Sequence, residues 1–366
     1  MSLNRRWSVL LCAVVLATLT PASGRADGPA QRHFRMGFTG FPHDYTAEAV
    51  RDARQFCRDN ADIIAHHIEG VPWAEALADK PFGDELLKEW AGKKEATPNG
   101  GKVYLAVSPG RGTLKPAEKA LPFPDDLKGK PYDDPLVKKA YLAYCRRMVD
   151  LFKPDYLAIG IEVNEIFLAG PDTWRAYAEL HRHVYRELKR DHKDLPIFAS
   201  FTLHGMLNQE GRKREDMLAA FRQILPENDL VAVSFYPFIR GGTTDIGGCF
   251  RWLTDSFGRD KKPYAFVETG EAGARVRLPK SGQVIDGTPE KQEAYYKALL
   301  AFAREHECRF VISFLHRDYD ALWEKIKGTA PEAFMAWRSC GLLDAGGKPR
   351  PAYRVWKEYF AMPLSP

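Results

Sequence analysis

Eight short apolar runs, parted by stretches of helical periodicity, constrain the fold of this chain more than any other feature. They are Phe34–Thr39, Ile63–His67, Val103–Val107, Tyr156–Val163, Ile197–Thr202, Leu230–Phe235, Tyr264–Val267 and Phe310–Phe314. Each has the length of a strand buried on both faces, as in a parallel sheet. Between them, Leu136, Ala140, Tyr141, Tyr144, Cys145, Met148 and Phe152 form one helical stripe, and Trp174, Tyr177, His181, Val184, Tyr185 and Leu188 form another. Thr288-Pro289-Glu290 is a helix start, with Thr as cap and Pro in the first turn. Eight strands alternating with helices predict an α/β fold, a single-domain (β/α)8 TIM barrel over residues 33–360. A doubly wound open sheet shares the alternation, but no Gly-rich phosphate turn follows the first strand.

The N-terminus reads as an export signal. Arg5 and Arg6 precede an apolar stretch, Trp7 to Leu19, that is too short to span a bilayer, and Ala22, Gly24 and Ala26 offer small residues for cleavage. The expectation is a signal peptide over residues 1–26 and a secreted or periplasmic monomer with no membrane span. Without those residues, 50 Lys+Arg face 48 Asp+Glu. A near-neutral chain with no basic block gives nucleic acid no electrostatic footprint. Cys57, Cys145, Cys249, Cys308 and Cys340 are scattered and lack metal-ligand spacing. One or two disulfides would suit an exported protein, but no framework is implied, and Cys145 belongs to a core stripe.

Two of the runs end in carboxylates. The fourth leads to Glu162, Asn164 and Glu165, and the seventh to Glu268-Thr269-Gly270. A poorly hydrated carboxylate at a strand end costs stability unless it is paired or used. Alternation puts Ile159, Ile161, Val163 and Glu165 on one face of the fourth strand, and Tyr264, Phe266 and Glu268 on one face of the seventh. It leaves Glu162 deeper, on the opposite face, paired with a surrounding helix. Glu165 and Glu268 then cap the barrel mouth, where active sites of this fold lie. Two carboxylates there suit glycoside hydrolysis, one donating a proton and one attacking the sugar.

The residues around these carboxylates resemble the retaining (β/α)8 glycosidases of clan A. The resemblance rests on Asn164-Glu165 after the fourth strand, Ser234-Phe235-Tyr236-Pro237-Phe238 at the sixth, Val267-Glu268-Thr269-Gly270 at the seventh, and Gly341–Trp356 before the last helix. Within the clan the endo-β-1,4-galactanase family is the nearest echo. The resemblance implies Glu165 as acid/base, Glu268 as nucleophile, Asn164 on the sugar 2-hydroxyl and Tyr236 on the nucleophile. It implies a polysaccharide or oligosaccharide substrate with a β linkage and no cofactor. Where the clan commonly has Trp after strand eight, this chain has Phe314-Leu315-His316.

Other residues are candidates for substrate contact. His66 and His67 end the second strand, and alternation lets only one enter the mouth; with His67, Trp73 could stack on a sugar. His204, and His316 with Asp318, follow strands five and eight. Phe38, Phe41 and His43 could floor a sugar subsite or fill the barrel. No metal site is expected, because His66-His67 is not the His-x-His ladder of barrel metallohydrolases. Loops at 108–135, 269–287 and 315–348 are long enough to wall a cleft. Two other readings are a non-catalytic glycan-binding barrel and a metal-dependent hydrolase using His66 or His67.

Overall fold

Burial on both faces, read in the apolar runs, is realised by a ring of parallel strands. The computed structural model describes residues 31–98, 100–111, 113–114, 123–239 and 245–365, with residue 69 by its backbone alone. The expected signal peptide lies outside these residues. In chain order the barrel strands are β1 (Arg35–Phe38), β2 (Ile63–Glu69), β3 (Lys102–Ser108) and β4 (Tyr156–Ala158). Then come β5, in two pieces (Ile197–Phe198 and Ser200–Thr202), β6 (Val231–Phe235), β7 (Tyr264–Thr269) and β8 (Cys308–Ser313). The first piece of β5 pairs with β4 and the second with β6, while β1 pairs with both β2 and β8. Nine segments thus make eight strands, and the circuit closes across Ala199.

Alternation sorts the strand residues into two layers. Ile63, Ala65, Tyr104, Ala106, Ala265, Val267, Phe310 and Ile312 form one buried cluster, the barrel interior. In it Tyr104 stacks on Phe198, ring centres 5.8 Å apart and 19° from parallel, and lies 5.1 Å from Phe310. Ile64, Leu105, Val107, Phe266 and Val311 belong to the larger cluster shared with the helices. Each such side chain contributes about 1.5–3 kcal/mol by leaving water, so closing the ring satisfies both faces of every strand at once.

The two periodic stripes are the helices Pro135–Phe152 and Pro171–Asp191, and the capped start is that of Pro289–Glu305. Thr288 Oγ1 accepts from Lys291 N at 3.2 Å, a bond whose loss typically costs about 1 kcal/mol. The loop after β7 carries a hairpin of Arg275–Arg277 with Val284–Asp286. The loop after β8 carries the helix Asp320–Ile326 and the 3-10 turn Glu332–Trp337. Arg350, just before the last helix (Pro351–Phe360), grips Asp318 through two bonds of 2.7 and 2.6 Å, with side chains 8% and 4% exposed. No disulfide joins the five described cysteines, all of them buried, and Cys145 sits in the core. Among the described residues no helix is long and apolar enough to cross a membrane.

Candidate active site

Inward parity on β2 runs Ile63, Ala65, His67, so His67 is delivered to the mouth and His66 to the helix side. His67 Nδ1 lies 3.1 Å from Glu268 Oε2. The Tyr236 hydroxyl, one residue past β6, donates to Glu268 Oε1. Each oxygen of this carboxylate, whose side chain is 12% exposed, therefore has its own partner. Tyr236 is held in turn by His204, whose Nδ1 accepts from Tyr236 N at 3.3 Å and whose ring meets it edge-on at 5.9 Å.

Simple alternation does not bring Glu268 to this point. Ala265 and Val267 face the interior and Phe266 the helices, so Glu268 would follow Phe266 outward. A bulge intervenes: Val233 pairs with Phe266, but the next residue, Ser234, pairs with Glu268. The extra residue turns Glu268 inward and Thr269 outward, where its hydroxyl bonds Phe235 O at 2.7 Å and the Tyr295 hydroxyl.

Glu162 departs further from its expected place. Regular β4 ends at Ala158, and Glu162 adopts a left-handed backbone, φ +53°. That conformation is costly for a residue with a Cβ and persists only where neighbours enforce it. Here Ser200 does so: its Oγ accepts from Glu162 N at 3.0 Å and its carbonyl from Val163 N at 2.8 Å. The twist breaks the two-residue period. The side chain turns to the loop after β3, with Oε2 2.8 Å from Arg111 Nη1, and not to a surrounding helix.

Burial pushes the Glu268 carboxyl up. The hydrogen bond and charge of His67, the Tyr236 hydroxyl and the charge of Arg111 outweigh it and hold Glu268 below its ordinary value. Burial drives the Tyr236 and Tyr104 hydroxyls far above theirs, and the charges of Glu268 and Glu162 add to the effect on both. Arg111, Tyr236 and Tyr104 thus each sense both carboxylates. Glu162 and Glu268 therefore belong to one electrostatic cluster.

Glu165 lies in a four-residue helix, Asn164–Phe167. Its Oε1 accepts from Thr202 Oγ1 at 3.4 Å, and a Cβ added at Gly205 would meet it at 2.9 Å. Asn164 is 1% exposed and spent on structure. Its Oδ1 accepts from Thr202 N at 2.8 Å, and its Nδ2 donates to Thr202 Oγ1 at 3.0 Å, tying the short helix after β4 to β5. Three further expectations meet the packing. Trp73 is 1% exposed, enclosed by Phe123 and Tyr141, so its faces are closed to a sugar. His316 is buried against Phe56 and His43, its imidazole pushed down to about 3, chiefly by burial, and Asp318 is committed to Arg350. His66 bonds Thr97 Oγ1 at 3.1 Å on the helix side, and Phe38 packs on Trp356 outside the barrel. Of the first-strand candidates, Phe41 alone joins the aromatic cluster of Tyr236.

Arg111 and Tyr104 lie outside the residues expected from the sequence. Arg111 had one sequence signal, its place in Ser108-Pro109-Gly110-Arg111, a turn directly after a strand. Glu162 had another, a lone acid inside an apolar run. Among the described residues no three His, Cys, Asp or Glu side chains converge as metal ligands.

No protein-family model matches the sequence, and a search of curated proteins finds no match. Solved structures do match. An exo-β-1,4-mannosidase from an Opitutaceae bacterium superposes with TM-score 0.61 at 15% identity, over 91% of this chain and 60% of that one. A GH5_18 protein from Streptomyces cattleya in complex with Manβ1-4GlcNAc gives 0.64 at 15%, over 89% and 80%. A β-glucuronidase from Ruminococcus gnavus in complex with D-glucuronic acid gives 0.50 at 14%, over 91% and 49%. The chain spans less than two thirds of the mannosidase and of the glucuronidase. What these likenesses establish is the fold: a single (β/α)8 barrel of the kind these glycosidases use.

Proposed function

We propose that this protein is an exported, monomeric retaining glycoside hydrolase acting on a β-linked glycan, with Glu268 as nucleophile and Glu162 as acid/base. The observation that carries the reading is the Glu268 carboxylate, held at both oxygens by His67 and Tyr236, with Glu162 in the same charged cluster. Partners on both oxygens fix the attacking geometry and keep the group ionised, as a nucleophile requires. In the first step Glu268 bonds to the anomeric carbon as the glycosidic C–O bond breaks, and Glu162 gives its proton to the leaving oxygen. In the second, Glu162 takes a proton from water, the water oxygen bonds to the anomeric carbon, and Glu268 leaves. The Arg111–Glu162 pair has to open for Glu162 to carry that proton, so Arg111 moves or changes partner as substrate enters.

Glu162 takes the role that the clan resemblance assigns to Glu165, because Glu162 shares charged neighbours with Glu268. The comparison that decides between them is Glu162→Ala against Glu165→Ala, each assayed on a glycoside with a good leaving group and one with a poor leaving group. Loss in Glu162→Ala should be at least about tenfold greater on the poor leaving group, the scale of general acid catalysis being 100-fold or more. The same selective loss in Glu165→Ala, with Glu162→Ala unaffected, would return the role to Glu165. Substrates to try first are β-1,4-mannosides, after the names of two structural neighbours, and β-1,4-galactan, after the sequence resemblance. Binding of these glycans without turnover would favour a non-catalytic barrel.

A further inference from the structure

A chain of aromatic rings leads from the proposed nucleophile to the protein surface. Tyr236, bonded to Glu268, meets Trp337 edge-to-face at 5.7 Å and Phe314 at 5.8 Å. Trp337 lies 6.4 Å from Phe334, which is 50% exposed, and Phe314 lies 5.8 Å from Phe41. Two features of this run are unexplained by packing. The indole Nε1 of Trp337 is buried and has no hydrogen-bond partner among the described residues. A buried N–H left unpaired lowers stability. Phe334 is a large apolar ring half in water, at the end of a line that begins at the reacting carboxylate.

Nor is Phe334 on a loose loop. Its turn, Glu332–Trp337, is tied to the neighbouring hairpin loop by Glu332, whose carboxylate accepts from Lys280 N and, at 3.0 Å, from Ser281 N. At its other end Arg338 grips Asp320 through two bonds, one of 2.9 Å from Nε. An exposed ring fixed in this way offers a flat face without the ordering cost of a mobile side chain.

We propose that the turn Glu332–Trp337 is a sugar subsite beyond the reacting residue of the glycan, with Phe334 stacking on the apolar face of a pyranose ring. A pyranose supplies what such a ring takes, a face of C–H groups. Continuity of the rings with Tyr236 and Glu268 makes the occupant another part of the same substrate. The inference rests on the glycosidase reading for that substrate, but its test does not depend on turnover.

The test has two readouts on β-1,4-linked manno-, cello- and galacto-oligosaccharides of two and six residues. The first is calorimetric binding to the Glu268→Gln protein, with and without Phe334→Ala. The second is the ratio of kcat/KM on the hexaose to that on the disaccharide. Phe334→Ala should weaken hexaose binding and lower the ratio by about 3- to 10-fold, the scale of one aromatic contact; Phe334→Tyr should restore both. Hexaose binding that falls in Phe334→Ala without hydrolysis by the unsubstituted protein would uphold the subsite and remove the glycosidase reading. Hydrolysis with an unchanged ratio in Phe334→Ala would remove the subsite and leave that reading standing. Failure of all three hexaoses to bind would overturn the proposal.

Discussion

Replacing His67 with Phe tests the partner that most strongly keeps Glu268 charged. The substitution removes the 3.1 Å contact to Glu268 Oε2 and keeps a ring against Tyr104, which His67 meets edge-on at 5.7 Å. A hydrogen bond to a charged group contributes about 1.5–3 kcal/mol, which in kcat/KM is a loss of roughly 10- to 150-fold. The pH profile should move in a definite direction. Burial raises the Glu268 carboxyl, while His67, Tyr236 and Arg111 lower it. Without His67 the balance tips upward, and the acidic limb of kcat/KM shifts to higher pH. Stability follows the same sign. A carboxyl held below its unfolded value contributes stability that is present above that value and lost as pH falls through the folded one. The difference in Tm between the unsubstituted protein and His67→Phe should therefore be largest near neutrality and shrink on acidification. His67→Arg, which supplies a charged donor at the same place, should recover part of both effects. An acidic limb that stays in place in His67→Phe, or moves to lower pH, would refute the assignment of His67 as the partner that ionises Glu268.

Two other perturbations probe the frame around the site. Glu271, three residues past Glu268, is pushed up to about 7, mainly by burial. Its folded state favours the protonated form, so stability falls as pH rises from about 4.5 to 7. Glu271→Gln should flatten that dependence and gain on the order of 3 kcal/mol above pH 7, read by urea denaturation at several pH values; an unchanged slope would contradict it. Arg350→Met leaves Asp318 buried without its cation and should cost about 3–5 kcal/mol, where Arg350→Met with Asp318→Leu should recover much of the loss. A single substitution costing less than about 1 kcal/mol would show that the pair does not hold the loop after β8.

The barrel was legible because its signals are local and repeated: eight apolar runs, two helical stripes and the Thr288 cap each depend on a few neighbouring residues. The interior and helix layers followed wherever a strand kept strict alternation, as in the divergence of His66 and His67. Alternation failed at Glu268 and Glu162. Glu268 faces inward because a bulge inserts a residue into β7, which strict alternation does not register. Glu162 reaches Arg111 because its backbone turns left-handed beyond the end of β4, which parity cannot register. Trp73, Asn164 and His316 carry the chemistry of sugar contacts, yet tertiary packing encloses them. Which polar or aromatic group a core absorbs is settled by neighbours distant in sequence, such as Thr202 for Asn164 and Phe56 for His316.

The central claim is that Glu268 attacks and Glu162 transfers the proton, and azide rescue reads each role separately. In Glu268→Ala, azide should replace the nucleophile and give an α-glycosyl azide from a β-glycoside, by a single displacement. In Glu162→Ala, azide should replace the second-step water and give the β-glycosyl azide. NMR of the two products is the direct measurement, and these opposite anomers are the result predicted. The β-azide from Glu268→Ala, or no rescue of Glu162→Ala while Glu165→Ala yields the β-azide, would contradict the assignment.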